Sequence, residues 1–305
     1  MVNLPDSIIA DNQLRKLIIA GVILVIGGCI ITQVFVQFAG GIRNERLDLS
    51  DQIPAQSEDS IHEVGVFPDG LPAFISSGGV YQPEKTIFNI SLTIGGLLFA
   101  ILAIEQYLRI RSRNNWIISQ QTGSAYDKSG EQEKGVESDH SDSTGLNGVH
   151  WFRRASNFVQ LISGVVLGLS LVLLTRFPMN EDMITHILVA SLIFQSIIVY
   201  TAAMAAARGQ IDHGVRWRNW SVTKIRWVMF GCALISYQAM LFFITTGQLT
   251  LSALFEWTLT FSIQGTVLTL LLTLNSGRAS TASSSIINGI SNEQYSPVSD
   301  AAIPK

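Results

Sequence analysis

The stretch that decides the fold runs from Trp227 to Leu274, WVMFGCALISYQAMLFFITTGQLTLSALFEWTLTFSIQGTVLTLLLTL, and its one charged residue is Glu256. A helix needs about 20 apolar residues to cross a hydrocarbon core of about 30 Å, so this run is too long for a single crossing. The polar step Thr245, Thr246, Gly247, Gln248 divides it. It therefore reads as two spanning helices joined by a tight hairpin.

Four more uncharged apolar stretches lie N-terminal to it, at Leu17 to Ala39, Thr86 to Ile104, Ala155 to Thr175 and Met183 to Ala207. Each can span. The sequence thus predicts an all-α membrane protein, a six-transmembrane helix bundle, and a composition of 48% hydrophobic and 14% charged residues agrees. The first stretch follows a basic segment as a signal peptide would. Its apolar run exceeds the about 7 to 15 residues of such a segment, and no small-x-small site closes it, so it is read as an uncleaved anchor.

Orientation follows from where Lys and Arg sit. Arg15 and Lys16 precede the first helix; Arg109, Arg111, Arg113, Lys128, Lys134, Arg153 and Arg154 lie between the second and third; Arg208, Arg216, Arg218, Lys224 and Arg226 lie between the fourth and fifth. The alternate loops hold only Arg43, Arg46, Lys85 and Arg176. Both termini are expected in the cytoplasm. The net charge of -3 is no pointer to nucleic acid.

Residues 1–16 are then a cytoplasmic N-terminus, 17–275 the membrane domain and 276–305 a cytoplasmic tail. The outer loop, 40–85, is acidic and proline-rich and is expected to be mostly turn and extended chain, its last part from Leu71 to Pro83 ordered over the bundle. The middle of the cytoplasmic loop, 112–149, and the tail have too little apolar content to offset the entropy of ordering and are expected to be disordered. No internal repeat supports an inverted-repeat transporter.

Ionisable residues at membrane depth are costly and mark candidate sites. Glu84, His186 and Glu256 each begin a helix on the outer side and are expected to converge in one pocket, able to bind a cationic group, receive a lipid headgroup or share a proton. Three independent interfacial residues are the simpler reading, and the helix dipole already favours Glu84. On the cytoplasmic side, Glu105, Asn157 and Arg226 match in depth and could form a structural polar network tying three helices. Trp116, Trp151, Trp217, Trp220, Trp227 and Trp257 sit near helix ends, as an interfacial belt would. The basic, aromatic run from Arg216 to Arg226 could touch anionic lipids, although orientation explains the same charges.

No glycine-rich phosphate loop, HExxH, CxxC or GxSxG occurs, and no catalytic residue, cofactor or metal site is assigned. Cys29 and Cys232 fall inside helices and read as small packing residues. Gly27-Gly28 and Gly95-Gly96 read as places of close helix approach. The sequons at Asn89 and Asn219 lie in a helix and in a cytoplasmic loop, where glycosylation is not expected.

LPAFISSGGVYQPEKTIF, from Leu71 to Phe88, resembles the first outer loop of the Frag/DRAM/Sfk family of six-helix membrane proteins, which includes DRAM-like proteins and the N-terminal domain of Cwh-type cell-wall proteins. Ile75, Ser76, Gly79, Pro83, Glu84, Ile87 and Phe88 are in register with it. Asn157 with Gly164 and Phe177, His186 with Ala190 and Phe194, Ile225-Arg226, and Glu256-Trp257 follow in order. Ser77 stands where the family has an acidic residue, Gln82 replaces a proline, and one residue is inserted between Pro72 and Phe74.

The resemblance implies membrane and lipid-related work: autophagy modulation in lysosomes, remodelling of GPI anchors in the Golgi, or recruitment of a phosphoinositide kinase at the plasma membrane. It does not distinguish these membranes. Ser76, Glu84, His186, Glu256 and Trp257 become the candidate ligand-binding residues, with membrane lipids and a membrane or cytoplasmic protein as the expected partners. Three functions stay open. The first is a non-enzymatic protein that modulates trafficking, autophagy or lipid homeostasis by binding. The second is a lipid-remodelling enzyme using His186 with Glu84 or Glu256. The third is a transporter or channel, for which the mid-helix positions offer chiefly Gln195, Gln238 and Gln264.

Overall fold

The computed structural model describes residues 8–36, 46–48, 63–65, 72–129, 143–209, 211–212 and 214–293. Six helices long and apolar enough to cross a membrane dominate it. They are α1 (Asp11–Val34, with one π-helical turn at Ile23–Gly27), α2 (Glu84–Ser129), α3 (Ser143–Leu174), α4 (Met183–Arg208), α5 (Val222–Thr245) and α6 (Leu249–Glu293). Helices adjacent in sequence pack side by side, and α6 returns against α1 to close the bundle.

The start of α1 and the end of the α6 span share one end of the bundle, where the Arg15 guanidinium donates to the Leu274 carbonyl at 3.2 Å. This arginine-rich end also carries the α2 to α3 and α4 to α5 connections. The opposite end carries residues 72–83, which include a 3₁₀ turn, Ile75–Gly79. Large apolar side chains such as Ile23, Leu188 and Ile235 point outward. Water would penalise such a surface; lipid tails cover it without cost.

The hairpin between α5 and α6 forms where the polar step predicted it. Gly247 sits at φ +73, a left-handed conformation that glycine adopts without Cβ strain. Gln248 N–H reaches the Phe243 carbonyl at 2.8 Å and Gly247 N–H the Ile244 carbonyl at 3.3 Å. That pair is a Schellman cap, and it satisfies carbonyls that the end of α5 would otherwise leave bare.

Close packing of α2 on α3 requires Gly96 and Gly168. A Cβ on either would lie 2.5 Å from the other's carbonyl oxygen, so the two backbones meet with no side chain between them.

The helices run further than the apolar stretches. α2 continues to Ser129 and α3 starts at Ser143, so helix covers both flanks of the 112–149 loop expected to be disordered, while 130–142 lies outside the described residues. Likewise α6 continues to Glu293, well into the 276–305 tail. A spanning helix is already nucleated, and adding residues to it is far easier than starting a new one. Most of the outer loop lies outside the described residues. Its described parts are an antiparallel pair, β1 (Arg46–Asp48) with β2 (Glu63–Gly65), Arg46 opposite Gly65, and the 72–83 segment. A second small hairpin, β3 (Arg216–Trp217) with β4 (Trp220–Ser221), leads into α5.

Candidate functional site

The 72–83 segment is built into the bundle. Ala73, Ile75, Ser76, Ser77 and Val80 are buried, and Phe74 and Tyr81 half-buried. Three hydrogen bonds pin its backbone. The Glu256 carboxylate accepts the Ile75 N–H at 2.8 Å, the Trp257 indole donates to the Ala73 carbonyl at 3.0 Å, and the Gln33 amide donates to the Phe74 carbonyl at 2.8 Å. Helices α1 and α6 therefore hold the segment from two sides. The two α6 anchors are consecutive residues in its first turns, so one helix end fixes two successive peptide units.

Beneath this segment lies a cavity of about 50 Å³ lined by Ser76, His186, Glu256, Cys29 and Thr260 among apolar side chains of α1 to α4. Of the three ionisable residues expected to meet, His186 and Glu256 share it. Glu84 is buried in the first turn of α2 but is not one of the lining residues.

His186 Nδ1 lies 2.7 Å from the Phe177 carbonyl. A carbonyl only accepts, so Nδ1 carries the proton, and whenever the ring is neutral Nε2 is its acceptor. The ring sits one turn into α4, whose start is capped by Asp182 accepting the Thr185 N–H at 3.0 Å. That bond, with one from the Thr185 hydroxyl, holds the Asp182 carboxyl below its usual range. Lys85 of α2 reaches Glu181 at 2.6 Å just before the cap.

Trp257 departs from the interfacial belt. Trp151, Trp217, Trp220 and Trp227 are exposed as expected, but Trp257 is buried, its N–H spent on the loop. The tertiary partner outweighs the membrane interface, because a buried indole N–H needs an acceptor and the Ala73 carbonyl supplies one.

At the arginine-rich end, no hydrogen bond among the described residues joins Glu105, Asn157 and Arg226 to one another. Each serves a different contact. Glu105 takes the Arg109 guanidinium at 2.7 Å, Asn157 donates to the Tyr107 carbonyl at 3.0 Å, and Arg226 binds Asp212 and the Thr269 hydroxyl. The three side chains lie on helix faces that look toward other neighbours.

The partners that sequence reading missed are Asp212, Arg208 and Gln106. Arg208 forks onto Asp212 at 2.8 and 3.1 Å and donates to Gln106 at 2.6 Å, so α2, α4, α5 and α6 are tied through one carboxylate. Burial alone would raise the Asp212 carboxyl. The charges and hydrogen bonds of Arg208 and Arg226 outweigh it and hold the group below the ordinary carboxylate range.

A family model described as the Frag1/DRAM/Sfk1/Cwh43P N-terminal domain matches residues 54–275. The chain belongs to this family. It is accordingly a multi-pass membrane protein, and the matched range covers the 72–83 segment, His186, Glu256 and five of the six spanning helices. No curated protein and no solved structure matches the chain.

Proposed function

We propose that this Frag1/DRAM-family protein acts by binding, taking a lipid headgroup or the polar group of a membrane partner at the end capped by residues 72–83, and that it thereby modulates membrane trafficking or lipid homeostasis. The carrying observation is that Glu256 both lines the cavity and anchors its cover through the Ile75 N–H. A ligand that competes for this carboxylate loosens the cover, so occupancy is converted into a change of shape at the membrane surface. The cavity of about 50 Å³ suits one or two waters, and a headgroup enters only as the cover moves.

This end faces the lumen or exterior in the proposed orientation, since the basic residues collect at the other. Lipids that co-purify with the wild-type chain and with His186→Ala test the binding reading. Loss of one lipid species from the variant supports it, and identical lipid profiles would overturn it.

A second reading, a lipid-remodelling enzyme, is favoured by one observation: His186, its Nδ1 held by the Phe177 carbonyl, lines the same cavity as Glu256. General base catalysis requires the Nε2 of the neutral ring within hydrogen-bond reach of the substrate proton. Incubating the purified protein with isotopically labelled lipids separates the readings, because only the enzyme releases a labelled product that His186→Ala does not.

A further inference from the structure

A second pocket opens at the arginine-rich end, on the far side of the bundle from the capped cavity. Its volume is about 130 Å³, and Arg109, Arg113, Arg208, Gln106 and Thr273 supply its polar lining. Ile110, Leu270 and Leu274 make the apolar remainder. Guanidinium groups repel one another, so three around one space call for negative charge.

The carboxylates present are already engaged. Asp11 and Glu105 both serve Arg109, while Asp212 divides its charge between Arg208 and Arg226. Arg15, whose guanidinium donates to the Leu274 carbonyl of the pocket wall, adds a further positive charge. Around the pocket, Arg15, Arg109, Arg208 and Arg226 thus stand against three carboxylates among the described residues, while Arg113 brings a guanidinium that has a contact of its own.

The same contacts prepare the arginines as donors. Arg109 uses three N–H groups, on Glu105, Asp11 and the Ile9 carbonyl, and Arg208 uses four, on Asp212, Gln106 and Thr273. A guanidinium carries five. Both forks are therefore held in fixed positions with donors left over, so little side-chain entropy remains to be lost when an anion arrives.

Depth selects the source of that anion. Leu270 and Leu274 belong to the last turns of the α6 span, so the pocket lies where the hydrocarbon core gives way to headgroups. Its lining joins an apolar wall, Ile110, Leu270 and Leu274, to a basic one, Arg109, Arg113 and Arg208. Pockets of this kind between spanning helices suit phospholipid headgroups.

We propose that this pocket binds the phosphate of an anionic phospholipid, held by Arg109, Arg113 and Arg208, with the glycerol end against Ile110, Leu270 and Leu274. The site is independent of the capped cavity and does not rest on the function proposed for it.

Thermal unfolding of the full chain in detergent tests the site with three probes: dioleoyl phosphatidic acid, dioleoyl phosphatidylcholine and inorganic phosphate. Phosphatidic acid is expected to raise the melting temperature, in a manner weakened by salt, while phosphatidylcholine leaves it unchanged. Arg113 is exposed but has a contact of its own, so Arg113→Gln is first compared with wild type for its melting temperature without lipid, and it should bind phosphatidic acid about tenfold more weakly, as expected for one lost charge-assisted contact. Arg113→Lys keeps the charge but not the fork and should fall between the two. Equal stabilisation by both lipids, or an Arg113→Gln variant that binds like wild type, would overturn the site. Inorganic phosphate reproducing the full shift would overturn its assignment to a lipid.

Discussion

The Glu256 carboxylate accepts the backbone N–H of Ile75 at 2.8 Å across 181 positions of sequence. This bond decides where the cover of the outer cavity sits, because Ile75 opens the buried 3₁₀ turn and its N–H has no solvent to turn to. Glu256→Ala leaves that donor unpaired and should destabilise the protein by about 1–3 kcal/mol. Glu256→Gln retains an acceptor of the same shape and is expected to remain near wild type. Thermal unfolding of the two variants in detergent checks the contrast, and equal losses would show that the bond contributes little.

The Asp212 cluster predicts a pH dependence with a definite sign. Its carboxyl titrates below the ordinary range in the folded protein, so its contribution is complete above the unfolded value of about 3.9 and is lost as pH falls through the folded value. Asp212→Asn removes the counter-charge of the fully buried Arg226 and should cost about 3–5 kcal/mol. Melting temperatures followed downward from neutral pH should show an acid-side loss in wild type that is smaller in the variant. A variant with the wild-type slope would place the titration elsewhere.

Much of this was legible because membranes impose simple constraints. The hairpin at Gly247 announced itself as a polar step in an apolar run, and Glu256 as a carboxylate at membrane depth. The rest depended on pairing between distant segments. Nothing local to Trp257 says that its N–H goes to Ala73 and not to the interface, since the partner lies 184 positions away. Arg208 and Asp212 did carry a signal, the i to i+4 spacing of an ion pair. Asp212 sits just beyond the apolar run, outside the depth at which a lone charge looks costly, so that spacing passed without weight.

Helix approach at Gly96 and Gly168 gives a test with an internal control. Gly168→Ala places a methyl 2.5 Å from the Gly96 carbonyl oxygen and within 3 Å of the Ala100 backbone, so α2 and α3 must separate. Overpacking of this kind costs about 1–3 kcal/mol. A Cβ on Gly231 of α5 meets nothing within 4 Å, and alanine is the better helix former there. Gly168→Ala should therefore lower the melting temperature while Gly231→Ala holds or raises it. Similar losses from both would mean that the crossing is looser than it looks.

The two native cysteines report on the cover itself. Cys29 is almost fully buried and lines the cavity under residues 72–83, whereas Cys232 is half-buried on α5 and does not line it. In the resting protein, N-ethylmaleimide should reach Cys29 slowly, because the segment anchored by Glu256, Trp257 and Gln33 closes the way in. Glu256→Ala and Trp257→Phe each remove one anchor at a different peptide unit, and both are expected to raise Cys29 modification several-fold. Cys232 should react at its own unchanged rate and serve as the reference for overall unfolding. Peptide mass spectrometry after a timed pulse measures the two sites together. If Cys29 and Cys232 accelerate in proportion, the variants have loosened the whole bundle and the segment is no separate cover. If Cys29 accelerates alone, the bonds made by Glu256 and Trp257 are what keep the cavity shut, and a ligand that competes for the carboxylate has a physical route to open it.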